Sequence, residues 1–337
     1  MNSLLLSPTR KFYHRLRFVY SLLTNCAYDY SRYLKFSATL APTSSQKRCL
    51  GRITANYHVI EKGLSFKDTR VGFGSNVVNK LMSLLEDYQT RYGLDETAQV
   101  ALNVLYRYYE FNLEHELDNP QLLQRLNKLK ATLPAEAQKA DESASSGGVL
   151  QVTKAAIKQS ANVNFREFTA ARYSIRHFGE GTVDRQIIEE AVSIALKTPS
   201  VCNRQSWKVY AFSDDKAKQT ALSYQSGNRG FGSSADKVLV VTTDLNYFIG
   251  AKERNQCFID GGLFSMSLIY ALHSLGVGTC CLNWSVTREV DRALKKAVDI
   301  PQADSIIMMI AVGHLPEQFK VAFSARRPYQ DVLVEKS

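Results

Sequence analysis

Residues 131–150, ATLPAEAQKADESASSGGVL, divide this 337-residue chain into two stretches with different hydrophobic periods. The segment is poor in large apolar side chains and ends in Ser and Gly, the composition of a linker. Before it, NVVNKLMSLLEDYQTRY and ETAQVALNVLYRYYEFNLEHEL place apolar residues at helical intervals, which predicts an all-helical first part. After it, short Val- and Ile-rich runs bounded by Asp or Gly mix with helical patterns. The predicted organisation is a basic helical domain over 1–130, a linker over 131–160 and a mixed domain over 161–337.

In the mixed part, KVYAFSD, KVLVVTTD and SIIMMIAVG read as buried strands. GTVDRQIIEEAVSIALKT reads as a helix with Thr182 as its cap, Asp184 in its first turn, and Ile187, Ala191 and Ile194 on one face. FIDGGLFSMSLIYALHSLG is apolar almost all round, which predicts a helix buried on all sides or across a subunit interface, stopped by Gly276. Its Gly261-Gly262 pair lets another backbone approach closely. TREVDRALKKAV is a further helix with Val290, Leu294 and Val298 aligned. This order lacks regular βαβ alternation and favours an α+β sheet packed by helices. No GxGxxG follows a strand and no GxxxxGK[ST] occurs, so neither a Rossmann site nor a P-loop is supported.

The formal charge is +10, and its excess is N-terminal. Through Lys62 there are ten basic residues (Arg10, Lys11, Arg15, Arg17, Arg32, Lys35, Lys47, Arg48, Arg52, Lys62) against Asp29 and Glu61. The arm RKFYHRLRFVYSLL is either a solvated helix face or a surface for an anionic membrane or a protein partner; nucleic acid is not expected. Six cysteines without a CxxC pair predict reduced thiols and a cytoplasmic protein, with peripheral contact at the inner membrane face left open. Cys280 and Cys281 read as small apolar residues. No stretch reaches the roughly 18 apolar residues of a membrane span. In NYHVIEKGLSFKDTRVGFG, His58, Glu61 and Lys62 share about one turn before Gly63, a candidate helix stop. They can share a proton or form a capped helix end, but a lone His and Glu make no metal site, and none is expected.

Four segments carry candidate chemistry. In ARYSIRHF, Arg172, Ser174 and Arg176 alternate with Tyr173 and Ile175, so in extended form they point the same way, a donor set suited to a phosphate. In TPSVCNRQSW, Ser200, Asn203 and Gln205 offer hydrogen bonds while Trp207 anchors the following strand. LGVGTCCLNW reads as a small-residue turn whose backbone lies close to a flat ligand. SARRPYQDVL sets Arg326 and Arg327 before a proline.

Taken together, residues 164–334 resemble the nitroreductase family of flavin enzymes, through RYSIRHF, TPSVCNRQSW, the turn after the long apolar helix and the terminal RRP. The resemblance implies a nitroreductase-like α+β fold, with a central, mostly antiparallel sheet flanked by helices. It implies a homodimeric flavoprotein with FMN held non-covalently at the subunit interface, and a ping-pong oxidoreductase fed by NADH or NADPH that reduces a small-molecule electron acceptor. It assigns Arg172 and Arg176 to the phosphate and ribityl chain, with Tyr173 and Ser174 between them. Pro199, Ser200 and Asn203 match the loop that reaches the flavin of the opposite subunit, and Asn228 the residue that bonds the pyrimidine edge. Cys281, Leu282 and Asn283 lie along the flavin near N5, and Arg326 is the C-terminal phosphate ligand.

The sequence departs from that pattern at Ser206, where a Pro is usual, at Ser324, where a Lys is frequent, and at Phe231, where a basic residue is common. No side-chain acid or base is required for hydride transfer to a flavin, so no catalytic residue is assigned. His177, His273 and His314 read as structural. The alternative function is a flavin-fold dimeric platform whose basic N-terminal domain binds a membrane surface or partner enzyme.

Overall fold

The computed structural model describes residues 8–133 and 147–336. Most of the 131–150 segment therefore lies outside the described residues.

Five helices make up the N-terminal part: α1 (Pro8–Phe36), α2 (Gln46–Leu64), α3 (Ser75–Tyr92), α4 (Glu96–Glu114) and α5 (Pro120–Lys130). Short polar side chains start three of them. Ser45 accepts from the Arg48 amide, Asp95 from Ala98 and Asn119 from Leu122, each satisfying an otherwise orphaned amide of the first turn. Ile53, Ile60, Leu81, Leu85, Leu102, Leu105 and Leu126 are fully buried where α2 to α5 meet. Gly63 lies inside α2 and is no helix stop. A Cβ there would sit 2.0 Å from the Phe73 ring, so this glycine admits an aromatic side chain.

Helix α1 adds nothing to that core and packs on the second domain instead. Arg32 donates to the Gln302 carbonyl at 2.9 Å and to the Asp304 carbonyl at 2.8 Å. Lys47 at the start of α2 reaches Asp244 at 2.7 Å, and Lys208 bridges Asp244 and Asp304. Burial opposes ionisation of Asp244, but the Lys47 hydrogen bond and the Lys208 charge hold its carboxyl below the ordinary value.

The second domain opens with α6 (Lys154–Ser160), inside the expected linker, then α7 (Phe165–Ala170) and α8 (Arg185–Ala195). There follow β1 (Trp207–Phe212), α9 (Asp215–Ser223), β2 (Lys237–Asp244), α10 (Gln256–Ser274), β3 (Val277–Asn283), α11 (Arg288–Ala297) and β4 (Asp304–His314). The four strands form one antiparallel sheet in the order β1-β2-β4-β3. Val238 and Val240 pack to one face with Leu222 and Leu294, and Leu239 and Val241 to the other with Phe264 and Leu268. Covering both faces explains why β2 reads as an unbroken apolar run.

Several expectations are corrected. The stretch VGTCCLN is an edge strand, not a turn: its small residues pair with β4 from Val277↔His314 to Asn283↔Met308. Helix α9 was hidden by its polar sequence and is started by Asp214, which accepts from the Ala217 amide. Helix α8 is preceded by Asp184 rather than Thr182, and it buries Ile188, Ala191 and Ala195 while Ile194 faces solvent. Helix α10 is not buried on all sides of this chain, for Phe258, Ile259, Leu263 and Met266 are exposed. Only its Gly261 meets a neighbour, Ile307; Gly262 meets nothing.

Candidate functional site

The segment after α7 runs extended beside the sheet edge. Ser174 bridges Thr279 of β3 in parallel, with the Ile175 amide donating to the Thr279 carbonyl at 2.8 Å. Ile175 and Phe178 turn into the core, which leaves Arg172, Ser174 and Arg176 on the other side. Those three and Tyr173 line a cleft of about 270 Å³. Its far wall comes from the C-terminal segment, some 150 residues away in sequence, through Phe323, Ser324 and Arg326. The cleft thus gathers three guanidinium groups and the hydroxyls of Thr169, Tyr173, Ser174 and Ser324, and no carboxylate is among the described residues that line it.

The charges are available. Among the described residues none of Arg172, Arg176 and Arg326 forms a salt bridge; Arg326 donates only to the Ser324 carbonyl, and Arg176 lies 6.0 Å over the Phe231 ring. A cluster of unpaired guanidinium groups repels itself and is stabilised by an anion; two or three such groups match a phosphate with bidentate geometry. The donor set therefore fits the phosphate of a cofactor. Phe231, the departure at a usually basic position, gives Arg176 an aromatic surface.

Strand β3 pairs through Thr279 with the segment that lines this cleft, but Cys281, Leu282 and Asn283, like Asn228, are not among the lining residues. Burial raises the thiol pKa of Cys280, opposed by the nearby Arg176 guanidinium. Cys280 is buried as expected, but Cys281 is exposed. The Leu282 side chain turns into the core beside Met309, so only its backbone is presented outward. The Asn283 carbonyl accepts from Gln225 Nε2 at 3.0 Å. Asn228 holds its own loop, with Nδ2 donating to the carbonyls of Leu222 at 2.8 Å and Gln225 at 2.5 Å. That loop is thereby fixed to β3 through Gln225.

The loop of Pro199, Ser200 and Asn203 does not line this cleft. Pro199 borders a second, more open hollow of about 410 Å³ with Phe168, Ile194 and Tyr270. Ser200 Oγ accepts from the Gln205 amide at 3.0 Å, and the Asp260 carboxylate accepts from the Val201 amide. Cys202, Asn203 and Gln205 take positive φ of 49°, 52° and 47°, a left-handed conformation uncommon outside glycine. Trp207 stacks on Phe264 with ring centroids 4.8 Å apart and anchors the loop as its sequence suggested.

The His58 and Glu61 pair does form, at 3.2 Å, and the other Glu61 oxygen accepts from the Gly148 amide at 3.0 Å. Glu61 therefore ties the end of the linker to the helical core. No group of three or more His, Cys, Asp or Glu able to hold a metal occurs among the described residues. No helix among them is long and apolar enough to cross a membrane. Sequence reasoning missed the cleft contributions of Thr169, Ala322 and Phe323. Phe323 carried one signal, a large aromatic residue just before the terminal arginine pair.

Residues 169–229 match the model of the nitroreductase family, a span that holds Arg172 to Arg176, the 199–203 loop and Asn228. Among solved structures, an FMN-dependent nitroreductase from Clostridium difficile R20291 is 18% identical, covering 50% of this chain and 98% of its own, with a TM-score of 0.43. A nitroreductase family protein from Streptococcus pneumoniae TIGR4 is 20% identical, covering 51% of this chain and 100% of its own, with a TM-score of 0.44. No curated protein matches the sequence.

Proposed function

We propose that this chain is a nitroreductase-family oxidoreductase that binds FMN and works as a homodimer. The observation that carries the reading is the cleft where Arg172, Arg176 and Arg326 converge without acidic partners. Family-matched residues supply two of those arginines and a remote segment the third. FMN held there would supply the redox chemistry, with NADH or NADPH as donor and a small-molecule electron acceptor in a ping-pong scheme.

The chain's own residues hold and orient that group. The three guanidinium groups neutralise the phosphate, and Ser174 adds a donor to the ribityl side. The β3 edge from Cys281 to Asn283 would face the ring, and Gln225 with the Asn228 loop holds that edge at fixed register. At about 270 Å³ the cleft falls below the roughly 300–1,000 Å³ of complete small-molecule sites, as expected of a half-site. Pro199, Ser200 and Asn203, turned away from their own cleft, complete the site of the partner subunit. The exposed apolar face of α10 supports such a dimer.

Visible spectroscopy of the purified full-length protein tests this directly. Bound flavin absorbance is expected, with bleaching by NADH or NADPH under anaerobic conditions. Arg172→Ala and Arg326→Ala each lose one charge-assisted contact, and FMN affinity falls about 10- to 100-fold for each. A colourless protein that refuses added FMN overturns the proposal.

A further inference from the structure

Helix α1 has two halves with opposite surroundings. From Asn25 onward it is fixed to the second domain: Asn25 Oδ1 accepts from the Arg288 amide at 2.7 Å and the Tyr28 hydroxyl donates to Asp291 at 2.7 Å. Residues 12–23, three turns or about 18 Å of helix, lie outside both cores, and near their inner end Tyr20 shares a side-chain hydrogen bond with Arg288. Phe12, Leu16, Val19, Tyr20 and Leu23 follow the i, i+4, i+7, i+8, i+11 spacing that places them in one stripe. Each is between 49% and 66% exposed. By the same geometry His14, Arg17 and Phe18 occupy the opposite face, and Arg15 lies between the two. No Asp or Glu precedes Asp29.

We infer that residues 10–24 of α1 form an interfacial helix that lies on an anionic lipid surface. The stripe enters the boundary between headgroups and acyl chains, while Arg15 extends sideways to lipid phosphates. The charge selects this occupant. A second copy of α1 would bring two acid-free helices together, each with four Lys and Arg, so like charges would meet along the seam. A nucleic acid answers the charges but leaves five apolar side chains in water. An anionic bilayer satisfies both features. The fixed second half holds the helix to the catalytic domain, so docking would bring the enzyme to the membrane plane without a spanning segment.

Co-sedimentation of the full-length protein with phosphatidylcholine vesicles, with and without phosphatidylglycerol, tests the inference. Binding is expected to phosphatidylglycerol vesicles and to weaken as salt is raised. The exposed-site variant Leu16→Ser/Leu23→Ser should remain in the supernatant. Lys11→Gln/Arg15→Gln should lower partitioning to phosphatidylglycerol vesicles by about 25-fold, roughly fivefold per charge. Circular dichroism and flavin content of both variants should equal wild type, so the result stands apart from whether FMN binds. The inference is overturned if wild type does not sediment with phosphatidylglycerol vesicles or if both variants sediment as wild type does. A lipid-blind wild type whose oligomeric mass falls in Leu16→Ser/Leu23→Ser would assign the stripe to self-association instead.

Discussion

Loss of the Asp291 carboxylate should be costly, and the structure shows why. Its Oδ2 accepts from the Tyr28 hydroxyl and from Lys295 Nζ, each at 2.7 Å, and its Oδ1 accepts from Trp284 Nε1 at 2.9 Å. One carboxylate thus joins α1, the end of β3 and α11. Burial works against its charge, but Lys295 and the other two donors hold its carboxyl below the ordinary value. For Lys295 burial dominates: with the Arg32 charge also against it, Asp291 cannot fully compensate and its pKa is pushed down to about 8. Asp291→Asn keeps the shape and removes the anion, stranding a buried ammonium at a cost of about 3–5 kcal/mol.

The pH dependence gives this a sign. In wild type Lys295 is protonated in both folded and unfolded chains below about pH 8, so it adds no slope there. Without Asp291 its folded pKa falls further. From that lower value up to about pH 8, the unfolded variant binds more protons than the folded one. The variant then gains up to about 1.4 kcal/mol of stability per pH unit that wild type does not. Its deficit is therefore largest at mildly acid pH and narrows towards pH 8. Asp291 itself adds no slope in this window, because its lowered pKa places the loss of its charge in acid. Urea unfolding at about pH 6 and about pH 8, followed by tryptophan emission, measures both quantities, for Trp207 and Trp284 both lie in the sheet domain. Asp291→Asn/Lys295→Met should recover most of the loss. A deficit under about 1 kcal/mol, one that does not narrow with pH, or a double variant no better than the single would refute the reasoning.

Two further perturbations separate packing from bonding. Gly261→Val places a Cβ 2.4 Å from Ile307 and should cost about 1–3 kcal/mol in the same urea assay, whereas Gly262→Ala, which meets nothing, should be neutral or stabilising. Arg48 donates to the carbonyls of Lys35, Phe36 and Ala41 and to Ser44 Oγ, so Arg48→Met should lower stability by about 3 kcal/mol and speed proteolysis between α1 and α2. Unchanged cleavage there would show that those carbonyls find other donors.

What the sequence disclosed follows from what side-chain period encodes. β2 and β4 announced themselves because both faces are covered, and α3 and α4 because one face is. β3 did not, since Gly278, Thr279 and Cys280 make a poor hydrophobic run and the strand is evident only from its pairing with β4. In α8 the buried stripe is Ile188, Ala191 and Ala195 rather than the Ile187 and Ile194 frame, a rotation that small alanines conceal. The cleft was legible in part: alternation put Arg172, Ser174 and Arg176 on one side, but only chain folding brings Arg326 to them. Asn228 and Leu282 show the limit, because residue type cannot reveal that one amide is used within its own loop and one side chain faces the core.

The 199–207 loop sharpens the case for a second subunit. Left-handed backbone at Cys202, Asn203 and Gln205 costs about 1–3 kcal/mol per residue, and such strain persists only where surrounding contacts over-determine it. Here Asp260 holds the Val201 amide, Ser200 holds the Gln205 amide and Trp207 is stacked on Phe264. Asp260 and Phe264 both belong to α10, whose opposite face presents Phe258 and Met266 to solvent. A single helix therefore sets the loop with one side, and its flanking and far sides carry exposed Ile259, Leu263, Phe258 and Met266. A subunit seated on that surface would meet a loop already in place, with its conformational cost met inside one chain rather than at the moment of association.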